Sequence, residues 1–438
     1  MQRQRYIADF VVTCDALNTV FSPGVIDIES GEIVWVGSLG EEEKDISCEV
    51  NSVGGLLMPG LINSHCHTPM TLVRGAGDGL PLGRWLTDHM WPREGRMNEE
   101  DAYWGMTLGT AEMFRAGVTT SCEMYLFEEA LVDSVSTSGA RLVMTPGIMQ
   151  TLHSDLGKTA SNRIEDLLKF HALYNDPNGK ITVGLGPHSA YVLGIPTCIE
   201  LAEVARSLDA LLHIHVSETR DESLEIESEY GASMVQVLAD NGILEGKVLA
   251  AHCVWVSGED ISLLAELGVS VAHCPVSNMK LGSGIAPLSS MLDGGVNVAL
   301  GTDGPASNDN LDLWEEVKVA ALLARVASLD STLITPATAL GLATRQSAKA
   351  VGLEKVGILE RGWKADMIRI DTDLSTFLPV TEINEMFAHL AWAGSSRKIT
   401  DVWIEGSKVL SDGQLVTIDE ERAIAEVKER SLKLIEGR

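Results

Sequence analysis

The sequence predicts an α/β chain built on a (β/α)8 TIM-like barrel, with a small β-sandwich domain formed from both chain ends. Three observations carry that prediction. Apolar, β-rich runs alternate with helical stretches eight times between about residues 55 and 355. Polar side chains of known chemical use fall at the carboxyl ends of those runs. The two termini share a different pattern of short strands and charged turns.

The runs are GLLMPGLINS, GVTTSCEMY, ARLVMTPGIM, KITVGLGPH, ALLHIHVSE, KVLAAHCVWV, GVSVAHCPVS and GVNVALGTDG. They are short and apolar along most of their length, as parallel strands buried on both faces are. Stretches such as EDAYWGMTLGTAEMFRAG between them carry helical periodicity. A doubly wound sheet would satisfy the same alternation, so the placement of the polar residues decides. His65 and His67 end the first run, His188 the fourth, His215 the fifth, His252 the sixth, His273 the seventh and Asp303 the eighth. In a barrel all of those ends open on one face, where active sites are built.

The termini read differently. IADFVVTCD and GVIDIESGEIVWVG are short strands, with Ser30-Gly31 placed as a hairpin turn. GILERGWKADMIRID and ITDVWIEGSKVL resemble them and precede a charged helix from about 417 to 435. Residues 1–54 and 356–438 are therefore expected to form one composite β domain, and residues 55–355 the barrel.

Composition bounds the function. With 33 Lys and Arg against 62 Asp and Glu, the formal net charge is −29, which repels a phosphate backbone and an anionic membrane surface alike. Nucleic acid and membranes are not expected partners. Seven scattered cysteines without a C-x-x-C give neither a disulfide framework nor a cysteine zinc knuckle. MQRQRYIADF lacks the apolar core of a leader, so a cytoplasmic location is the expectation.

His65 and His67 lie at i and i+2, a spacing that turns both rings of an extended strand to one side. Alone, such a pair also suits satisfied core or surface histidines. With His215 and Asp303 it makes three imidazoles and a carboxylate, a set for one divalent metal, zinc above iron or manganese. LVMTPGIM and ITVGLGPH, in the third and fourth runs, carry no lysine at a strand end to bridge a second ion. Glu218, three residues beyond His215, is placed to shuttle protons from a metal-activated water to a leaving group, although an N-terminal helix acid would read the same. His252 is placed to orient the attacking oxygen, with a fifth ligand as its alternative. His213 reads as a lower-layer core histidine and His273 as lining the site. His89, His153, His171 and His389 have no strand-end context and default to structural roles. GAGDG at 75–79 is a loop rather than a phosphate cradle, and no P-loop or G-x-S-x-G occurs.

PGLINSHCHTPMTLVRG, GPHSAY, HIHVSET, AHCVWV, HCPVSNMKLGSG and LGTDGPASNDNLDLWEE together resemble the amidohydrolase superfamily, in its branch of 5-methylthioadenosine/S-adenosylhomocysteine deaminases and triazine hydrolases. The resemblance spans nearly the whole chain. It implies that His65, His67, His215 and Asp303 bind one zinc, that Glu218 shuttles protons and contacts the purine, and that Asp303 and His252 help activate the water. It further implies substrate contacts from Trp85, Glu94 and His188, with Glu94 holding ribose hydroxyls, and from Arg163. Where some members of the family present an arginine after the third strand, this chain has GIMQTLHSDLGK, which leaves the 5' substituent open.

The expected function is zinc-dependent hydrolytic deamination of adenine nucleosides, namely 5-methylthioadenosine, S-adenosylhomocysteine, adenosine or 5'-deoxyadenosine. The alternative is hydrolysis of amino or chloro substituents on s-triazine or pterin-like rings, which would leave Glu94 without a purpose. A non-catalytic barrel would predict erosion of the metal set, and the set is intact. The resemblance also implies a homo-oligomer acting on a small-molecule purine nucleoside.

Overall fold

The computed structural model describes residues 3–43, 47–149, 160–393 and 398–436. Its centre is the expected barrel. The eight strands are Leu61–Cys66, Val118–Glu123, Arg141–Met144, Ile181–Val183, Leu212–Val216, Val248–His252, Ser270–His273 and Asn297–Leu300. Every ladder between adjacent members is parallel, in one set from the first strand to the fourth and another from the fifth to the eighth.

The seams close by a few isolated bonds. Leu185 N–H donates to Leu211 O (2.8 Å) and His213 N–H to Leu185 O (2.9 Å), joining the fourth strand to the fifth. The first and eighth meet through Asp303 N–H to His65 O (3.0 Å) and Ser64 Oγ–H to Leu300 O (2.6 Å). Gly301 is required at that seam, because a Cβ there would lie 2.7 Å from the His65 carbonyl oxygen.

Three sequence expectations shift. GLLMPGLINS is two strands, since Leu56–Pro59 joins the terminal sheet and only Leu61–Cys66 enters the barrel. Gly60 is the crossing point: a Cβ on it would sit 2.2 Å from Thr119 Cγ2, so only glycine lets the backbone pass. The terminal sheet thus runs beyond the expected edge at residue 54. The third and fourth runs also break, at Thr145–Pro146 and Gly184–Leu185, and their outer ends pair separately as Gly147–Ile148 with Gly186–Pro187.

Both chain ends build two sheets. One orders Glu32–Ser38, Gly24–Glu29, Gln4–Ala8 and Glu49–Ser52. The other has seven strands and contains Phe10–Val12, Leu56–Pro59, Met367–Ile370 and Ile399–Ile404. Tyr6, Ile26 and Ile33 of the first sheet share an apolar core with Val11, Leu57, Met367 and Trp403 of the second, as a sandwich requires. Ser30 and Gly31 both take positive φ (52° and 85°), the geometry of the expected hairpin turn. Arg141 locks the sandwich to the barrel through a buried pair with Asp366 at 2.7 Å.

The helix Glu420–Glu436 lies against the barrel rather than in the sandwich. Arg430 Nη1 reaches Asp101 Oδ1 (2.9 Å), and Arg96 Nη1 donates to Leu434 O (2.8 Å). No helix among the described residues is long and apolar enough to cross a membrane.

Candidate active site

Strand periodicity delivers the imidazoles to one place. His65 lies within the first strand and His67 just after it, His215 within the fifth, and His252 closes the sixth. The His65 ring centroid stands 4.8 Å from those of both His67 and His215, and 5.4 Å from that of His252. Asp303 joins them from the loop after the eighth strand. Its Oδ1 is 3.4 Å from His65 Nε2 and 3.2 Å from His67 Nε2. Ser217, His252 and Asp303 all hold positive φ (50°, 73° and 60°), backbone strain of the kind that clusters where a side chain must be aimed.

Each ring is oriented from behind. His67 Nδ1–H donates to Met124 O (2.6 Å), His215 Nδ1–H to His188 O (2.7 Å) and His252 Nδ1–H to Asn278 Oδ1 (2.8 Å), leaving Nε2 of each toward the shared space. Ser277 and Ser307 donate to Asp303 Oδ2 at 2.6 and 2.8 Å, and Gly304 N–H donates to Oδ1 at 2.8 Å.

These residues fit a divalent cation. His65 Nε2 is buried, with no polar atom nearer than the Asp303 oxygen at 3.4 Å, so its lone pair is available to a metal. Nitrogen and carboxylate atoms converge in two overlapping groups, His65 with His67 and Asp303, and His65 with His215 and His252, each within 4.8 Å. His252 thus stands close enough to be counted with the ligands as well as with the water-orienting groups. Burial pushes His65 down to about 4, and His215 well below the usual imidazole range, so both are neutral donors. Burial also presses on His67, but the Asp303 carboxylate outweighs it and lifts that ring to about 9. Asp303 itself, although buried, is held well below the carboxylate range by His65 and His67.

Glu218 stands at the edge of this group, buried, its Oε2 3.9 Å from His252 Nε2. Capping of the next helix, Arg220–Tyr230, is done by Thr219 and Glu222, which form a capping box. Glu222 also accepts from Glu218 N–H at 2.9 Å. The Glu218 carboxyl is therefore not consumed by the helix end, and burial raises its pKa.

A cavity of about 660 Å³, counting its open mouth, rises above these residues. Trp85, Glu94, His188, His215, Glu218, His252 and Asp303 all line it, together with Met70, Met124 and Met149. The Trp85 indole is fixed by Nε1–H to Ala76 O (3.0 Å). Glu94 is only 5% exposed, and burial raises its pKa against a hydrogen bond from Tyr125.

Two expectations are corrected. Arg163 does not line this cavity: its Nη1 pairs with Glu128 Oε1 (2.6 Å) in an adjoining hollow that shares only Leu126 with it. His273 does not line it either. It is buried at the end of the seventh strand, and Asn278 on the following helix Pro275–Lys280 is the residue that reaches His252. Tyr125, Tyr191, Ser277 and Asn278 were not singled out from the sequence, although Ser277 and Asn278 lie inside the HCPVSNMK stretch. His89, His171 and His389 lie outside the cavity lining, and His153, like most of GIMQTLHSDLGK, lies outside the described residues.

A model described as the amidohydrolase family matches residues 56–409. The chain is 38% identical over 428 residues to a 5-methylthioadenosine/S-adenosylhomocysteine deaminase of Pelotomaculum thermopropionicum, covering 97% of each. It is 37% identical over 427 residues to a 5'-deoxyadenosine deaminase of Methanosarcina mazei, again covering 97% of each. Among solved structures it superposes on an adenosine deaminase from Xanthomonas campestris with bound zinc, at TM-score 0.91 and 30% identity, covering 99% of this chain and 98% of that one.

Proposed function

The chain belongs to the amidohydrolase family, and from that premise we propose that it is a zinc-dependent aminohydrolase replacing the 6-amino group of an adenine nucleoside with oxygen. The substrates are 5-methylthioadenosine, S-adenosylhomocysteine, 5'-deoxyadenosine or adenosine, and the products are the inosine analogue and ammonia. One observation carries the reading: the buried carboxylate of Glu94 shares a cavity with Glu218 and with His67, His215 and Asp303 of the metal-binding set. A heterocycle without ribose has no hydroxyls for it to hold, which disfavours triazines and pterins.

His65, His67, His215 and Asp303 would hold the metal, which when bound lowers the pKa of a water toward about 7 and so supplies a nucleophile at neutral pH. Glu218 takes a proton from the attacking water and delivers it to the ring nitrogen beside C6 as the oxygen adds to that carbon. Asp303 accepts the second water proton, and His252, held by Asn278, orients the incoming oxygen. The C6–N6 bond then breaks as Asp303 passes its proton to the amine, and ammonia leaves. His188 and Trp85 border the nucleoside, and Glu94 accepts hydrogen bonds from both ribose hydroxyls.

Glu94→Gln tests the clamp. It keeps the shape but replaces one acceptor oxygen with a donor, so KM for nucleosides is expected to rise ~10–100-fold, a loss of ~1.5–3 kcal/mol. Burial sets the pH sign. A pKa raised above 4.5 means that the carboxylate is protonated, and binding lost, as pH falls through a value higher than for an exposed glutamate. Profiles of KM against pH should show that acid rise in the native chain and not in the variant. Equal KM values in both proteins would remove Glu94 from ribose binding.

A further inference from the structure

One imidazole of the metal-facing set has a partner of another kind. His67, His215 and His252 each donate from Nδ1 to a carbonyl or amide oxygen. His65 instead meets a second imidazole, its Nδ1 lying 2.8 Å from His213 Nε2. Either ring can donate in such a contact, so this bond alone does not say which nitrogen of His65 carries the proton.

The answer lies one residue further back. Thr145 Oγ1 is 2.8 Å from the Glu123 carbonyl oxygen and 2.9 Å from His213 Nδ1. The Glu123 carbonyl accepts from Thr145 N–H at 2.8 Å with one lone pair and takes the single hydroxyl proton of Thr145 with the other, and the hydroxyl oxygen is left to accept from His213 Nδ1–H. Neutral His213 then presents only a lone pair at Nε2. It must accept from His65 Nδ1–H, and His65 Nε2 is left unprotonated. That is the buried nitrogen without a hydrogen-bond partner, 3.4 Å from Asp303 Oδ1.

We propose that His213 and Thr145 are positioning residues of the metal site: a one-way hydrogen-bond chain from the Glu123 carbonyl fixes His65 as its Nδ1–H tautomer and holds the Nε2 lone pair on the metal. The proposal rests on His65 being a metal ligand. Its members come from the first barrel strand (His65), the second (Glu123), the residue after the third (Thr145) and the fifth (His213). All four are essentially inaccessible, so no solvent molecule stands ready to replace a lost link. Cys122 Sγ, 3.6 Å from His213 Nδ1, is too weak an acceptor to take over from Thr145. His213, the core histidine of the HIH stretch, thereby acquires a reason to be an imidazole.

The test is zinc affinity by chelator competition on the full chain, alongside the thermal midpoint of each metal-free protein. Thr145→Val keeps the shape and loses the hydroxyl. It is expected to weaken zinc ~10–100-fold, the usual range when the partner of a ligating histidine is removed. Thr145→Ser should keep the native affinity. His213→Leu should weaken zinc as Thr145→Val does, and His213→Gln, whose amide oxygen accepts from His65 Nδ1–H, should recover part of the loss. A role in packing alone would lower the metal-free midpoint and leave zinc affinity unmoved, and that result overturns the proposal. So does a Thr145→Ser variant as weak as Thr145→Val. If the native chain binds no zinc, the ligand set itself falls and this proposal with it, an outcome distinct from native binding with unaffected variants.

Discussion

Glu218→Gln is expected to lower kcat with 5-methylthioadenosine by ~10²–10⁴-fold, the range for losing a positioned general acid and base, while zinc content and KM change little. The side chains are nearly isosteric, and Glu218 is not needed elsewhere: Thr219 and Glu222 cap the helix that follows it. What the amide cannot do is take a proton and return it. Burial raises the Glu218 pKa, which brings its basicity closer to that of the groups exchanging protons near neutral pH. Steady-state kinetics with metal analysis of the same samples decide the matter. A fall of less than tenfold in fully zinc-loaded protein would take Glu218 out of the proton pathway.

The second large effect is removal of the metal. Protein stripped by a chelator is expected to lose all measurable turnover and to regain it with one equivalent of zinc. His65→Ala and Asp303→Asn should not be rescued by stoichiometric metal, since both side chains stand in the group whose ligand atoms lie within 4.8 Å. Binding to the folded chain alone also stabilises it, by ~2.7 kcal/mol when free zinc is 100-fold above its dissociation constant. The thermal midpoint of the native chain should therefore rise with zinc, and that of His65→Ala should not. Turnover that survives in demonstrably metal-free protein would exclude the metal from the reaction.

Much of this was legible in the sequence, for a physical reason. Parallel barrel strands are apolar on both faces, so a histidine or aspartate at a strand end has no packing explanation and shows against its surroundings. His65, His67, His215, His252 and Asp303 were visible on that ground, and barrel closure brings them together, all but His65 lining the cavity with Glu218, Glu94 and His188. The family resemblance added Trp85 and Glu94, which no periodicity would select.

What was not legible depends on contacts between distant segments. The unbroken apolar run GLLMPGLINS hides the passage from sandwich to barrel at Gly60, because the cause is Thr119, 59 residues away in sequence. Arg163 reads as a pocket residue in the sequence, but Glu128, on another helix, holds it. The helix Glu420–Glu436 is plain from its sequence, yet its docking on Asp101 and Arg96 is not. His213 reads in the sequence only as a core residue, because its contacts are with Thr145 and, through it, with a carbonyl that carries no sequence signature.

The most direct test of the whole reading is product formation from 5-methylthioadenosine by the zinc-loaded chain, followed in the ultraviolet as adenine becomes hypoxanthine, with ammonia measured in the same sample and free adenine run in parallel. The account predicts one ammonia for each methylthioinosine formed, and little or no turnover of free adenine, which lacks the ribose that Glu94 holds. Fully metallated protein that leaves 5-methylthioadenosine, S-adenosylhomocysteine, 5'-deoxyadenosine and adenosine all unchanged would contradict it.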